Sequence, residues 1–421
     1  MIARFVATSA VVFFMVACGP QEDSADSEGT WIGTITTEGD VITVVNEAGS
    51  VWGGRGRLVE ELSIGVETGA KEYMFDQGTF VYADERRIYV SQPSVPVIHM
   101  YDLEGTYQSD LGRPGQGPGE YEEPVYVTSS EERVFVVDGA AGRINAYTLA
   151  GGGAGTWTLP ELACCTWPPS MSIEGVMRAP VVRWAVDEMG AATPHFGAQP
   201  FGKDGPQGAA LWVPEIRYEP LTVSVQGRER EDVPFAPKLS WAVAPGGIVA
   251  GASDQYRFEV HDADGTTTIV HRHWEPIPVH PEHAAWQRKY ALARIRAAVP
   301  DWSWQGDEPP DHQPAFDYFI MPVSGEIWVW RSGPSRSLPD CMDEPAENPR
   351  LARERPCWRS ETILDVFGRD GRYLGQVEPP AGLRPAPSNP FVRGDRLYAV
   401  IEDEAGTIMV KRYRLVPPGE E

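Results

Sequence analysis

Four of the eight histidines of this 421-residue chain fall close together, His271, His273, His280 and His283. His271 and His273 alternate across one residue, so on a strand they share a face, a spacing that can hold a divalent metal. Packing at a sheet edge, with Trp274 and prolines around them, explains the same residues without a metal. Asp102, Asp138 and Asp254 each sit near a strand end. There a carboxylate can bind calcium or act as a base, but turn aspartates more often accept backbone N–H groups. No Gly-x-Ser-x-Gly elbow, His-Glu-x-x-His helix motif or EF-hand spacing occurs. The balance falls on binding rather than catalysis, with no cofactor expected and a divalent metal as the one candidate.

Aromatic residues offer a different chemistry. Of 14 tryptophans, Trp167, Trp184, Trp286, Trp302 and Trp304 fall outside the strand pattern, in loops or in one helical segment. Rings with a polar edge suit sugar or peptide recognition, and they also wedge between packed elements. A Gly-rich run, Gly115-Gln116-Gly117-Pro118-Gly119-Glu120-Tyr121, invites a phosphate cradle. A P-loop ends in Gly-Lys-Ser/Thr and opens a helix, and this run does neither, so a turn between sheets is the better reading.

The address is written in the first residues. Arg4 precedes an apolar run from Phe5 to Val16, too short to span a bilayer comfortably, and the segment ends Met15-Val16-Ala17-Cys18-Gly19. This resembles a bacterial lipoprotein signal, which implies a lipid anchor on Cys18 and a protein of the cell envelope, periplasmic or at the cell surface. Residues 1–17 are then the signal peptide, and the acidic, aperiodic residues 18–30 a flexible tether. Export permits disulfides. Cys341 and Cys357 flank an irregular, Pro- and charge-rich stretch that a bridge would staple, while Cys164 and Cys165 could bridge each other or pair with those two.

Charge restricts the partners. Removing residues 1–17 takes away one Arg and no acid, leaving 35 basic against 60 acidic side chains, a net charge of −25. Such a field repels nucleic acid and anionic lipid, so membrane attachment must come from the acyl chains. The expected partners are a protein, a peptide or a glycan.

The elements that must position these residues are strands. Composition is that of a folded chain, 42% hydrophobic, with 43 Gly and 38 Pro fitting many turns. Arg87–Ser91, Val97–Tyr101 and Thr106–Leu111 are apolar–polar alternations separated by turn residues, the mark of half-buried antiparallel strands. The marker Tyr101-Asp102-Leu103-Glu104-Gly105 has relatives beginning at Tyr147, Phe201, His261 and Phe367, and a degenerate one at Tyr413. The gaps are 46, 54, 60, 106 and 46 residues. Periods near 40–50 residues in an all-β chain point to propeller blades, each too small to bury both faces alone. The long gap holds an insertion, in which residues 281–299 carry helical spacing with Trp286, Tyr290, Ala293 and Ile295 roughly on one side.

Strand, turn, strand, Tyr-Asp-x-x-Gly and the Gly-x-Gly-x-Gly-Glu-aromatic exit loop resemble the bacterial six-bladed β-propeller family related to NHL-repeat proteins. The resemblance covers roughly residues 57–415 and implies the fold, not the ligand. The segment Leu58–Glu72 looks like the end of a unit and precedes the first complete one, so it is expected to complete the last blade, with Val41–Val45 added to the same blade. The expectation is therefore an all-β, six-bladed propeller over residues 31–421. Its function is non-catalytic binding of a peptide, protein or glycan, and the alternative is a hydrolase or lyase with a metal on the central axis.

Overall fold

A computed structural model of the chain describes residues 30–420 apart from 93, 160–167, 173, 187–191, 226–227, 346–351, 354, 384–388 and 404. The described chain is nearly all β, with a single α-helix, Pro281–Arg296. The first sheet runs in sequence order through Phe80–Ala83, Ile88–Gln92, Val95–Tyr101 and Tyr107–Leu111. The second repeats the plan with Pro124–Ser129, Arg133–Asp138, Arg143–Thr148 and Gly153–Thr158. The third is built on Ser170–Met171, Met177–Val186 and Ala192–Gly202. A fourth begins with Leu239–Val243, Gly247–Ala252, Arg257–Asp262 and Thr267–Arg272. An eight-stranded fifth joins Tyr318–Ile320, Ile327–Ser337, Trp358–Phe367 and Tyr373–Val377 to Arg55–Ile64, Ile408–Val416, Arg396–Glu402 and Phe391–Arg393.

The repeat markers all fall on third strands. Tyr101, Tyr147, Phe201, Phe367 and Tyr413 are buried there, and His261 is half-buried. The first strands pack on one another in succession: Phe80–Ala83 on Pro124–Ser129, that strand on Ser170–Met171, and Leu239–Val243 on Tyr318–Ile320. Arg396–Glu402 and Phe391–Arg393 lie back against Phe80–Ala83. Hydrophobic cores accordingly sit between neighbouring sheets, such as Tyr89, Tyr121 and Val136 between the first and second. Phe258, Phe319 and Phe367 fill the space between the fourth and fifth. Burial of each such ring contributes about 1.5–3 kcal/mol. This arrangement fits a β-propeller.

The N-terminal strands divide between two sheets. Arg55–Ile64 pairs antiparallel with Ile408–Val416 from the far end of the chain, Glu60 opposite Tyr413. Val41–Ala48 does not join it. That strand pairs parallel with Thr267–Arg272 in the fourth sheet, Val44 opposite Val270, and Ile32–Glu38 adds outside it. The expectation that Val41–Val45 belongs to the last unit is thus corrected. Asn46 supplies the reason: its Nδ2 donates to the carbonyls of His271 and Gly371, both at 3.1 Å. Its Oδ1 accepts from Trp31 Nε1 and the Tyr373 N–H, both at 2.7 Å. A buried amide with every polar group satisfied pins the strand there.

A second polar knot lies between the fourth and fifth sheets. Fully buried Asp365 takes Arg272 at 2.7 Å, Arg331 at 3.1 Å and Tyr256 Oη at 2.7 Å on one oxygen, and Tyr373 Oη at 3.0 Å on the other. Its partners come from both sheets, so it fixes their mutual register as well as satisfying charge.

Candidate functional site

The helix and a long hairpin build one end of the molecule. Strands Ile327–Ser337 and Trp358–Phe367 extend beyond their sheet, with Ser337 paired to Trp358. A disulfide between Cys341 and Cys357 closes the loop joining them. His280 caps the helix by accepting the Glu282 N–H on its side chain, and Pro281 follows at the first helical position, where its missing N–H costs nothing. The helix contacts its surroundings on two sides rather than one. Trp286 and Tyr290 pack on the disulfide region, while Leu292 and Ile295 pack with Val223, Val233, Val299 and Trp302.

Beneath this roof lies a groove of about 470 Å³, within the range of small-ligand sites. Its aromatic wall is Trp358, Phe235 and His283. Trp358 stacks on His280 with ring centroids 4.7 Å apart and planes 15° from parallel, and on His283 at 5.9 Å and 17°. Phe235 meets His283 edge-on at 4.9 Å. Phe235 also has φ of +64°, a conformation bulky residues rarely adopt, held at a typical cost of about 1–3 kcal/mol. Such strain is found where a site fixes a side chain against local preference.

The polar side of the groove comes from Lys238, Gln287, Gln313, Asp317 and Ser332. Asp317 accepts the Ser332 hydroxyl at 2.9 Å, and Gln313 Nε2 donates to Ser360 Oγ at 2.8 Å. Although Asp317 is only half-buried by surface area, the packed atoms around its carboxyl strip water from it and raise its pKa, against the pull of Lys238. His283 is 1% exposed, and burial, with His280 beside it, lowers its pKa to about 4. At neutral pH it is therefore an uncharged ring, held by a 2.9 Å hydrogen bond between Nδ1 and Ser335 Oγ. An aromatic platform facing amide, hydroxyl, ammonium and carboxyl groups can stack a flat apolar face and bond the edges of the same ligand.

The residues singled out in the sequence are scattered. Trp286 and Trp302 are buried, their indole N–H groups donating to Met342 and Ser224 carbonyls. Trp304 is half-buried against Trp302 and donates to the Asp307 carbonyl. Trp184 stands 61% exposed on a different hairpin. His271 lies in Thr267–Arg272 and burial lowers its pKa, while His273 follows that strand and donates its backbone N–H to the Asn46 carbonyl. Among the described residues, no three His, Cys, Asp or Glu side chains gather as a metal site. Cys18, Cys164, Cys165 and Trp167 lie outside the described residues. Trp358, which also lines the groove, does not stand out in the sequence because it continues a strand pattern. Its one sequence signal is its place next to Cys357.

The turn carboxylates and the Gly-rich run serve the fold. Asp102 accepts the N–H groups of Glu104 and Thr106, and Asp138 those of Glu122 and Glu123. Asp254 is exposed in a turn. Arg143 pairs with Asp138 at 3.0 Å and donates to the carbonyls of Gly115, Gln116 and Glu120, so the run wraps a guanidinium. The Gly117 N–H that a phosphate would need donates to Glu120 Oε2 at 2.8 Å. That bond, with Arg113, holds the Glu120 carboxyl below its usual pKa. Gly112, with φ of +76°, is required because a Cβ there would lie 2.2 Å from the Tyr121 ring.

No protein-family model matches the chain, and no curated protein matches it. Among solved structures it is similar to a member of the DUF4221 family from Bacteroides vulgatus, at 12% identity over 86% of this chain and 99% of that one, TM-score 0.46. It is also similar to a putative exported protein from Bacteroides fragilis, at 8% identity over 89% and 99%, TM-score 0.45. A third is the calcium-binding protein regucalcin from Agrobacterium tumefaciens, at 11% identity over 87% and 98%, TM-score 0.36. Identities this low say nothing about ligand or chemistry.

Proposed function

We propose that the protein is a lipid-anchored, extracytoplasmic six-bladed β-propeller that binds a glycan, peptide or protein segment in the groove under its helix. The observation that carries this reading is the wall of Trp358, Phe235 and His283 facing the polar groups of Lys238, Gln287, Gln313 and Asp317. Six blades follow if the eight-stranded sheet is two units joined where Gln376 and Val377 pair with Arg55 and Gly56. Six third-strand markers support that count. Attachment through Cys18 rests on the signal-like sequence before it. The rival, a hydrolase or lyase with a metal on the axis, gains no support from the centre, where the first strands bring Phe80, Val127, Ala242 and Phe319 together.

The test is a screen of the purified protein on glycan and peptide arrays, followed by titration of the hits. Saturable binding that is lost when the groove is blocked supports the reading. Hits indifferent to the groove would sink it.

A further inference from the structure

We infer that the centre of the sheet assembly is a second ligand site, for a small amphipathic molecule whose alkyl or aryl end lies along the axis and whose hydrogen-bonding group meets Ser170. A cavity of about 70 Å³ lies where the first strands converge. Phe80, Val127, Met171, Ala242, Phe319 and Phe391 contribute apolar side chains to its lining. The polar residues beside them are occupied: Ser91 Oγ donates to the Val125 carbonyl, and Tyr82 Oη takes the Ser129 N–H and the Thr128 hydroxyl. Ser170 differs. It lines the cavity, is 7% exposed, and its hydroxyl has no partner among the described residues.

A buried hydroxyl without a partner is costly, and folded proteins rarely keep one without use. The cavity is large enough for water, but an ordered water needs two to four polar partners, and among the described residues this lining offers one side-chain hydroxyl without a partner. An apolar group carrying one hydrogen-bonding atom satisfies both the walls and Ser170. A second, polar space adjoins the cavity. Met171 and Val323 line both this cavity and a polar basin of about 720 Å³, bounded by Arg86, Glu132, Lys203 and Arg393. The basin lies at the turns following the first strands, whereas the groove lies where Leu239–Val243 and Tyr318–Ile320 begin, so the two sites occupy opposite ends of those strands. The ligand would enter from the basin side, with its hydrogen-bonding group stopping at Ser170 and its apolar end lying beyond it along the axis.

Phenol and benzene are suitable probes, being of similar size and differing by one hydroxyl. The full-length protein is placed in lipid nanodiscs, with empty nanodiscs as the partition reference, and each probe is titrated by ligand-detected NMR. One saturable site per chain is expected for both. Ser170→Ala should weaken phenol about three- to tenfold, one hydrogen bond's worth, and leave benzene within about twofold. Ala242→Leu, which fills the cavity, should remove both. Failure of either probe to saturate overturns the proposal. So does equal loss of both probes with Ser170→Ala, or a crystal structure in which ordered water stays on Ser170 at saturating phenol.

Discussion

Trp358 lies nearly parallel to the imidazole of His280, 4.7 Å away, and follows directly on Cys357 of the disulfide. The helix start, the bridge and the aromatic wall of the groove are therefore one mechanical unit. Disturbing one should disturb the others.

Removing the bridge with Cys341→Ser and Cys357→Ser tests that unit. The cysteines are 16 residues apart, and opening a loop of that length costs about 3 kcal/mol in the chain-entropy account. Urea denaturation should show a loss of this order. Groove affinity should fall as well, because Trp358 loses its neighbouring anchor. Unchanged affinity at reduced stability would separate the wall from the bridge.

Acid should weaken the fold through His283. Its pKa is lowered from an ordinary 6.5 to about 4, so the unfolded chain binds a proton that the folded chain refuses. Stability is then full above about pH 6.5, falls as pH drops toward 4, and levels below that, with a loss of roughly 3 kcal/mol. Asp317 works in the opposite sense: its raised pKa favours the folded state at low pH, and that contribution fades as pH rises through its folded value. Denaturant midpoints from pH 7 to 4 should fall for the wild type, and His283→Gln should flatten the slope between 6.5 and 4. An identical slope in the variant would remove His283 as the cause.

Arg143→Met should be among the most damaging single substitutions. It leaves Asp138, which is 0% exposed, without its cation and frees the carbonyls of residues 115, 116 and 120. A loss of about 3–5 kcal/mol is expected. Arg113→Ala at the exposed side of Glu120 should cost under about 1 kcal/mol. The ratio of the two, read by denaturation, checks whether the Gly-rich run is held from inside.

Strands were legible in the sequence and sites were not, for a physical reason. Turn glycines and the buried ring before each of them repeat because every sheet solves the same packing problem, so Tyr101, Tyr147 and Phe367 announce their strands. Asn46 could not announce the fourth sheet, because its four bonds reach residues as far as 327 positions away. The groove is likewise assembled from residues 235, 283, 317 and 358, which lie on separate segments. Tryptophans outside the strand pattern stand out in the sequence, yet Trp286, on the helix itself, and Trp302, packed against it, fill the cores on its two sides. Trp358, inside a strand, faces the groove.

A metal-free account predicts that a strong chelator leaves the melting temperature of the protein unchanged, within about 1 °C, since removing a bound ion would forfeit its linkage stabilisation. A fall, with stoichiometric metal in the untreated protein, would favour the axial metal reading.

The most direct measurement is the affinity of Trp358→Ala for the best glycan or peptide hit, beside wild type and Trp184→Ala. Loss of a central aromatic contact should weaken binding at least about tenfold, while the exposed Trp184, on another hairpin, should leave it unchanged. Equal affinity of Trp358→Ala and wild type would contradict the groove as the binding site.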